Sequence, residues 1–125
     1  MSEQTPPDIG FGRIATTLPV KDIERARRFY VDMLGFTKTF QNGVPVGFMI
    51  LKQGPAELHL TLQPNHKPAP FNVAHMMVRD VDAFHALCKR EGLRIVKGLR
   101  DKDYGLRAFV FEDPEGNRID VGAAL

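Results

Sequence analysis

Apolar positions along the chain change period twice in the same way. An alternating run over 13–20 gives way after Asp22 to Ile23, Ala26, Phe29, Tyr30, Met33 and Leu34 at helical spacing. The change recurs from 71–78 to Val81, Phe84, Leu87 and Cys88 after Asp80. Each half is therefore predicted to open with a strand and an amphipathic helix. Asp22 and Asp80 stand where a carboxylate accepts from the free N–H groups of a first helical turn and meets the positive end of the helix dipole. Gly35 and Gly92 stand where a left-handed C-terminal cap belongs. Short apolar segments follow each helix, at 37–41, 46–52 and 56–62 and then at 94–97, 106–112 and 117–121. Turn residues separate them: Asn42-Gly43, Gln53-Gly54-Pro55 and Asp113-Pro-Glu-Gly-Asn117.

The two halves also share a motif. Leu18-Pro-Val-Lys-Asp-Ile-Glu24 returns 58 positions later as Met76-Met-Val-Arg-Asp-Val-Asp82, so the chain is a tandem duplication of one unit. The expected organisation is an N-terminal arm, 1–10, followed by a single domain over 11–125. Within that domain lie module one, 11–62, a proline-rich linker, 63–70, and module two, 71–125.

Composition narrows the function classes. With 125 residues and 43% apolar content, roughly two thirds of the unfolded surface can be buried, enough for one core without metal or disulfide staples. Lys and Arg number 17 against 15 Asp and Glu, a net charge of +2, too small for a nucleic-acid footprint. The lone Cys88 forms no internal bridge, no apolar run approaches a spanning helix, and 1–10 has no signal-peptide pattern. The expectation is a cytoplasmic protein with neither nucleic-acid nor membrane partners. No P-loop, dinucleotide fingerprint, paired CxxC or Ser-His-Asp pattern is present.

Two βαβββ units over 11–121, the Val-Lys-Asp type start to each helix, Leu34-Gly35-Phe36, Tyr104-Gly-Leu-Arg107 and Asp113-Pro-Glu-Gly-Asn117 resemble the vicinal oxygen chelate superfamily. It includes glyoxalase I, extradiol dioxygenases, and the fosfomycin and bleomycin resistance proteins, and the pattern is most similar to the bleomycin resistance branch. The resemblance implies an α+β fold of two tandem βαβββ modules. A curled mixed sheet would line a concave cavity, with the helices outside, and a homodimer would build two clefts from both chains. Such a fold hosts several chemistries, so architecture is better specified than activity.

Enzymes of the superfamily hold a divalent metal with His or Glu from the first and last strands of each module. Carried over by motif, those positions are Ala15, Glu57, Val73 and Asp120. Ala15 and Val73 have no donor atom, and two carboxylates alone fit a transition-metal site poorly. No metal cofactor is expected, and the first reading is a metal-free protein that binds a small antibiotic-like or aromatic molecule. Its ligand-binding residues would be Glu57, His59, His75, Tyr104 and Asp120. Glu57 and Asp120 would suit a cationic ligand, as the bleomycin resistance resemblance implies, although the chain is slightly basic. They would alternatively form an acid/base pair. In the second reading a divalent ion sits at a displaced set, Glu57, His59, His75 and Asp120, and serves a lyase, isomerase or dioxygenase acting on adjacent oxygens. Arg107 is read as an anchor of the Asp113 turn, Arg25, Arg27 and Arg28 as solvated charge, and Cys88 as a buried apolar residue.

Overall fold

The computed structural model describes residues 5–125. Strand β1, Thr16–Val20, runs into helix α1, Ile23–Arg27, which widens into a π-helical turn over Arg28–Met33. Strands β2 (Thr37–Asn42), β3 (Phe48–Gln53) and β4 (Ala56–Leu62) complete a sheet of order β1-β4-β3-β2. Module two repeats the plan with β5 (Ala74–Met77), α2 (Val81–Arg90), β6 (Ile95–Asp101), β7 (Leu106–Glu112) and β8 (Arg118–Ala124), in the order β5-β8-β7-β6. In each sheet the first strand pairs parallel to the last and the remaining pairs are antiparallel. The fold is α+β, two tandem βαβββ modules as expected, each built on a four-stranded mixed sheet.

The helix boundaries follow from their caps. Asp22 Oδ1 accepts from the N–H of Arg25 at 3.0 Å and Asp80 Oδ1 from that of Ala83 at 3.0 Å. Gly35 and Gly92 end the helices at φ +84° and +71°, where a side chain would be strained. The wider turn in α1, with the Leu34 N–H reaching Phe29 O at 3.0 Å, lets the consecutive Phe29 and Tyr30 both face the interior. Strand ends depart from the sequence pattern in places. β1 begins three residues later than expected, and β6 continues through the exposed Lys97-Gly98 to Asp101 with a shifted register. Gly98 interrupts the apolar alternation on which the sequence expectation stopped.

One core joins both modules. Leu18, Val20, Met49, Leu51, Leu58 and Leu60 from the first sheet meet Phe109, Phe111, Ile119 and Val121 from the second, with the helices between. Phe29 of α1 lies 6.3 Å from Phe111, and Phe84 of α2 lies 5.8 and 5.3 Å from Phe109 and Phe111. The fully buried rings of Phe29, Phe109 and Phe111 contribute roughly 1.5–3 kcal/mol each, and the partly buried Phe84 less.

The β7–β8 turn locks module two onto α1. Asp113 Oδ1 accepts from the N–H groups of Glu115 and Asn117 at 2.9 and 2.8 Å, while its Oδ2 accepts from the Tyr30 hydroxyl at 2.7 Å. Glu115, with no exposed side-chain surface, accepts from the N–H groups of Lys21 and Asp22 at 2.8 and 2.9 Å and from Arg25 Nε at 2.6 Å. Asn117 Nδ2 donates to Pro19 O at 2.9 Å. Arg25 is thus not free solvated charge, and Arg27 likewise pairs with Glu24 and Asp32. The linker packs on the same turn: Gly116 has φ +87°, and a Cβ there would lie 2.7 Å from Pro68 Cγ. Of the arm at 1–10, residues 1–4 lie outside the described residues, and 5–10 are exposed without regular secondary structure.

Candidate functional site

Strand alternation leaves each sheet a second face, opposite the core. Directly paired residues share a face, so register defines two rows. Across module one the row is Phe40, Ile50, His59 and Thr17. Across module two it is Lys97, Val110, Asp120 and His75. His75 follows Thr17 by the 58-residue repeat, which makes His59 the structural counterpart of Asp120. Glu57 stands two residues away on the same face, so matching it to Asp120 by sequence motif was offset by two.

The module-one face is aromatic with one fixed charge group. Phe40 lies 6.2 Å from Phe48, and Phe48 lies 5.6 Å edge-on to His59. His59 Nε2 is 2.7 Å from Glu57 Oε2, and Glu57 Oε1 is 2.7 Å from Arg13 Nη2 and 3.5 Å from Lys52 Nζ. The His59 hydrogen bond, aided by Arg13 and Lys52 against partial burial, holds the Glu57 carboxyl below its ordinary range. On module two, His75 Nδ1 is 2.9 Å from Asp120 Oδ2, and Nε2 is 3.2 Å from Met77 Sδ. Gly122 lies beside them, and a Cβ there would press on Leu106 Cδ1 at 3.2 Å while only touching His75 Cε1 at 3.7 Å.

Two adjoining grooves run between the modules, sharing Pro55, Ala56, Met76 and Met77. One, of about 590 Å³, is chiefly apolar, with Leu34, Phe36, Val78 and Phe84 in its wall. It contains none of the site residues expected from sequence. It lies where the two-residue β3–β4 turn, Gly54-Pro55, meets the start of α2; the longer β7–β8 turn fills the corresponding place against α1. The other, of about 430 Å³, has Glu57 and His75 on its wall. Tyr104 and Asp120 line a separate hollow of about 90 Å³. The five expected residues therefore fall into two His–carboxylate pairs, Glu57–His59 and His75–Asp120, with Tyr104 beside the second. The alternation of Phe40, Phe48, Phe109 and Phe111 in sequence left open which of them face a helix and which a cavity; strand pairing puts Phe40 and Phe48 on the face of His59 and Phe109 and Phe111 in the core. Arg107 anchors Asp82 and Asp101 at 3.0 Å each, not the Asp113 turn. Burial pushes the Cys88 thiol up to about 12, leaving it without thiolate character.

The family model for the Glyoxalase/Bleomycin resistance protein/Dioxygenase superfamily matches residues 10–121. The chain belongs to this superfamily. Among solved structures, TnmS3, an antibiotic binding protein from Streptomyces sp. CB03234, is 26% identical, with a TM-score of 0.73 over 94% of this chain and 99% of that one. A bleomycin-binding protein complexed with bleomycin is 22% identical, with a TM-score of 0.72 over 92% of this chain and all of that one. The fosfomycin resistance protein FosX from Listeria monocytogenes is 16% identical, with a TM-score of 0.75 and coverage of 92% and 94%. These last two show a shared fold. Comparison with curated proteins returns no match.

Against the superfamily's metal set, the donors present do not fit. Ala15 and Val73 offer hydrocarbon at two of the four positions, whatever the assembly. Among the described residues no three His, Cys, Asp or Glu side chains converge as an ion would require. Within one chain the displaced set is split into its two pairs, each carboxylate paired with its own imidazole. No helix in the described residues is long and apolar enough to cross a membrane.

Proposed function

We propose that this protein binds and sequesters a planar, antibiotic-like or aromatic small molecule, without metal, as a homodimer in the cytoplasm. The observation that carries this is the face formed by Phe40, Phe48 and His59 beside the fixed Glu57–His59 pair. Rings at an edge of a half-open apolar surface offer stacking area, while an oriented imidazole and carboxylate supply the few polar contacts that set a ligand's orientation. The likeness to an antibiotic binding protein supports the ligand class. The loss of donors at Ala15 and Val73 supports the metal-free mechanism.

A dimer is supported by apolar surface that one chain leaves uncovered. Ile14 and Phe11 are 92% and 88% exposed, Ile9 64% and Phe71 61%, and β1 and β5 are unpaired sheet edges. Two-fold pairing is the commonest way such surface is covered.

The test is direct titration of the full chain with planar aromatic antibiotics and polycyclic aromatic probes, read by fluorescence and calorimetry, beside metal analysis after incubation with Zn, Ni, Mn and Fe(II). Expected are saturable binding of at least one probe, weakened about tenfold in Phe48→Ala, and no near-stoichiometric retained metal. Retained metal that is lost in the double variant His59→Ala, His75→Ala would overturn the metal-free mechanism.

A further inference from the structure

The charges on the sheet faces opposite the core run against the cationic ligand that Glu57 and Asp120 suggest from sequence. Both carboxylates are already occupied, Glu57 by Arg13, Lys52 and His59, and Asp120 by His75. Of the other carboxylates nearby on module two, Asp103, between Lys102 and Tyr104, does not line the hollow, while Glu112 is taken by Arg94 and Asp82 and Asp101 by Arg107. The cations facing the module-two hollow are not. Lys97 and Lys102 line it together with Asn72, Tyr104, Val110 and Asp120, and neither lysine makes an ion pair among the described residues. With two lysines against one aspartate, this hollow carries one positive charge in excess. On module one, Arg13 and Lys52 against Glu57 leave the same excess.

The loop that bears these groups is held in place. The Lys102 N–H donates to Leu106 O at 2.7 Å, the Gly105 N–H to Lys102 O at 3.3 Å, and the Leu125 N–H to Gly105 O at 3.1 Å. Gly105 adopts φ +87°, which closes the turn and sets Tyr104, 64% exposed, beside Lys102. Lys97 sits opposite Val110, which sits opposite Asp120, so the first lysine and the His75–Asp120 pair are ends of one row. A volume of about 90 Å³ equals roughly three waters at about 30 Å³ each, room for one carboxylate or phosphoryl group but not for an aromatic ring.

We infer, on the basis of the ligand-binding role proposed above, that the ligand is an aromatic oxyanion, its anionic end seated between Lys97 and Lys102 and its ring lying against the exposed Tyr104. Lysine ammoniums act here as point charges with rotatable donors, and the Tyr104 hydroxyl and Asn72 amide add neutral donors. Asp120, held by His75, rejects a second carboxylate and limits the site to one anionic group.

The test uses four probes with one naphthalene body: naphthoate, naphthyl phosphate, naphthylmethylammonium and naphthalenemethanol. They are titrated into the full chain and into the double variant Lys97→Gln, Lys102→Gln at low and high ionic strength. The expected result is that one or both anions bind about tenfold more tightly than the neutral alcohol. The ammonium should bind most weakly, and the preference should vanish in the double variant and shrink with salt. The two anions separate a carboxylate ligand from a phosphorylated one. If the alcohol binds but the ammonium matches or exceeds the anions, or the double variant keeps the preference, the oxyanion assignment is wrong while the ligand-binding role stands. If no probe binds, both fall together.

Discussion

Glu115 is a buried carboxylate whose partners lie 90 to 94 positions away in the chain. It caps a helix of the other module, accepting from two backbone N–H groups and from Arg25. Burial pushes its pKa up, but Arg25 and the N–H groups of Asp22 and Lys21 outweigh that and hold it below the ordinary 4.5. A lowered folded pKa stabilises the folded chain fully at pH values above the unfolded one. That contribution is lost as pH falls through the lowered folded value. Glu115→Gln should therefore cost about 3 kcal/mol near neutral pH, since an amide cannot replace a carboxylate among these donors. In urea unfolding, the gap between the two proteins should close as pH falls below 4.5. A gap of constant size across that range would show that the charge of Glu115 is not what matters. Asp113 runs the other way, its pKa raised by burial despite hydrogen bonds from Tyr30 and Asn117, so it opposes Glu115 over part of the same window. The caps at Asp22 and Asp80 were legible in the sequence because their acceptors and donors are three residues apart. The role of Glu115 was not, because nothing local distinguishes it from a solvated turn residue.

At the scale of elements, the β7–β8 turn is both a hairpin and a joint. Gly116 and Gly105 share φ +87°, yet a Cβ on Gly116 would meet Pro68 Cγ at 2.7 Å, whereas one on Gly105 would meet nothing within 4 Å. Both Gly→Ala changes incur backbone strain of about 1 kcal/mol. Gly116→Ala must also displace the linker, so its midpoint in thermal unfolding should fall clearly further than that of Gly105→Ala. Adding Pro68→Ala should recover part of the extra loss and leave Gly105→Ala unchanged. Equal losses at the two glycines would mean that the linker yields freely. Helices and turns were readable here since their signals are local: apolar spacing, a capping aspartate, a glycine at the end. The π-helical turn in α1 and the extension of β6 through Gly98 were not, because each answers to the packing of a neighbouring element.

For the whole molecule, the unpaired sheet edges at β1 and β5 and the exposed Ile9, Phe11 and Ile14 predict association. Sedimentation equilibrium at micromolar concentration should give twice the chain mass of 14.0 kDa, and Phe11→Ser with Ile14→Ser should shift the equilibrium toward the single chain. A wild-type mass of one chain at that concentration would remove the dimer and the shared clefts with it. Phe11 and Ile14 are visible as apolar letters in the sequence, but only their exposure in the fold makes them candidates for the proposed dimer contact.

The repeat of Leu18-Pro-Val-Lys-Asp22, the alternating strands and the capped helices determined by themselves that the chain builds two βαβββ modules, because period and capping act over a few residues. The absence of donors at Ala15 and Val73 was equally a property of the letters alone. Tertiary structure decided which side chains share a face. It separated the expected polar residues into Glu57–His59 and His75–Asp120, joined Phe40 and Phe48 to His59, and turned Arg107 and Arg25 into struts. Among the described residues it also left Lys97 and Lys102 without carboxylate partners, the observation behind the proposed oxyanion ligand. Those outcomes depend on strand register and on contacts across as many as 94 positions, where geometry, not local propensity, sets which charges meet.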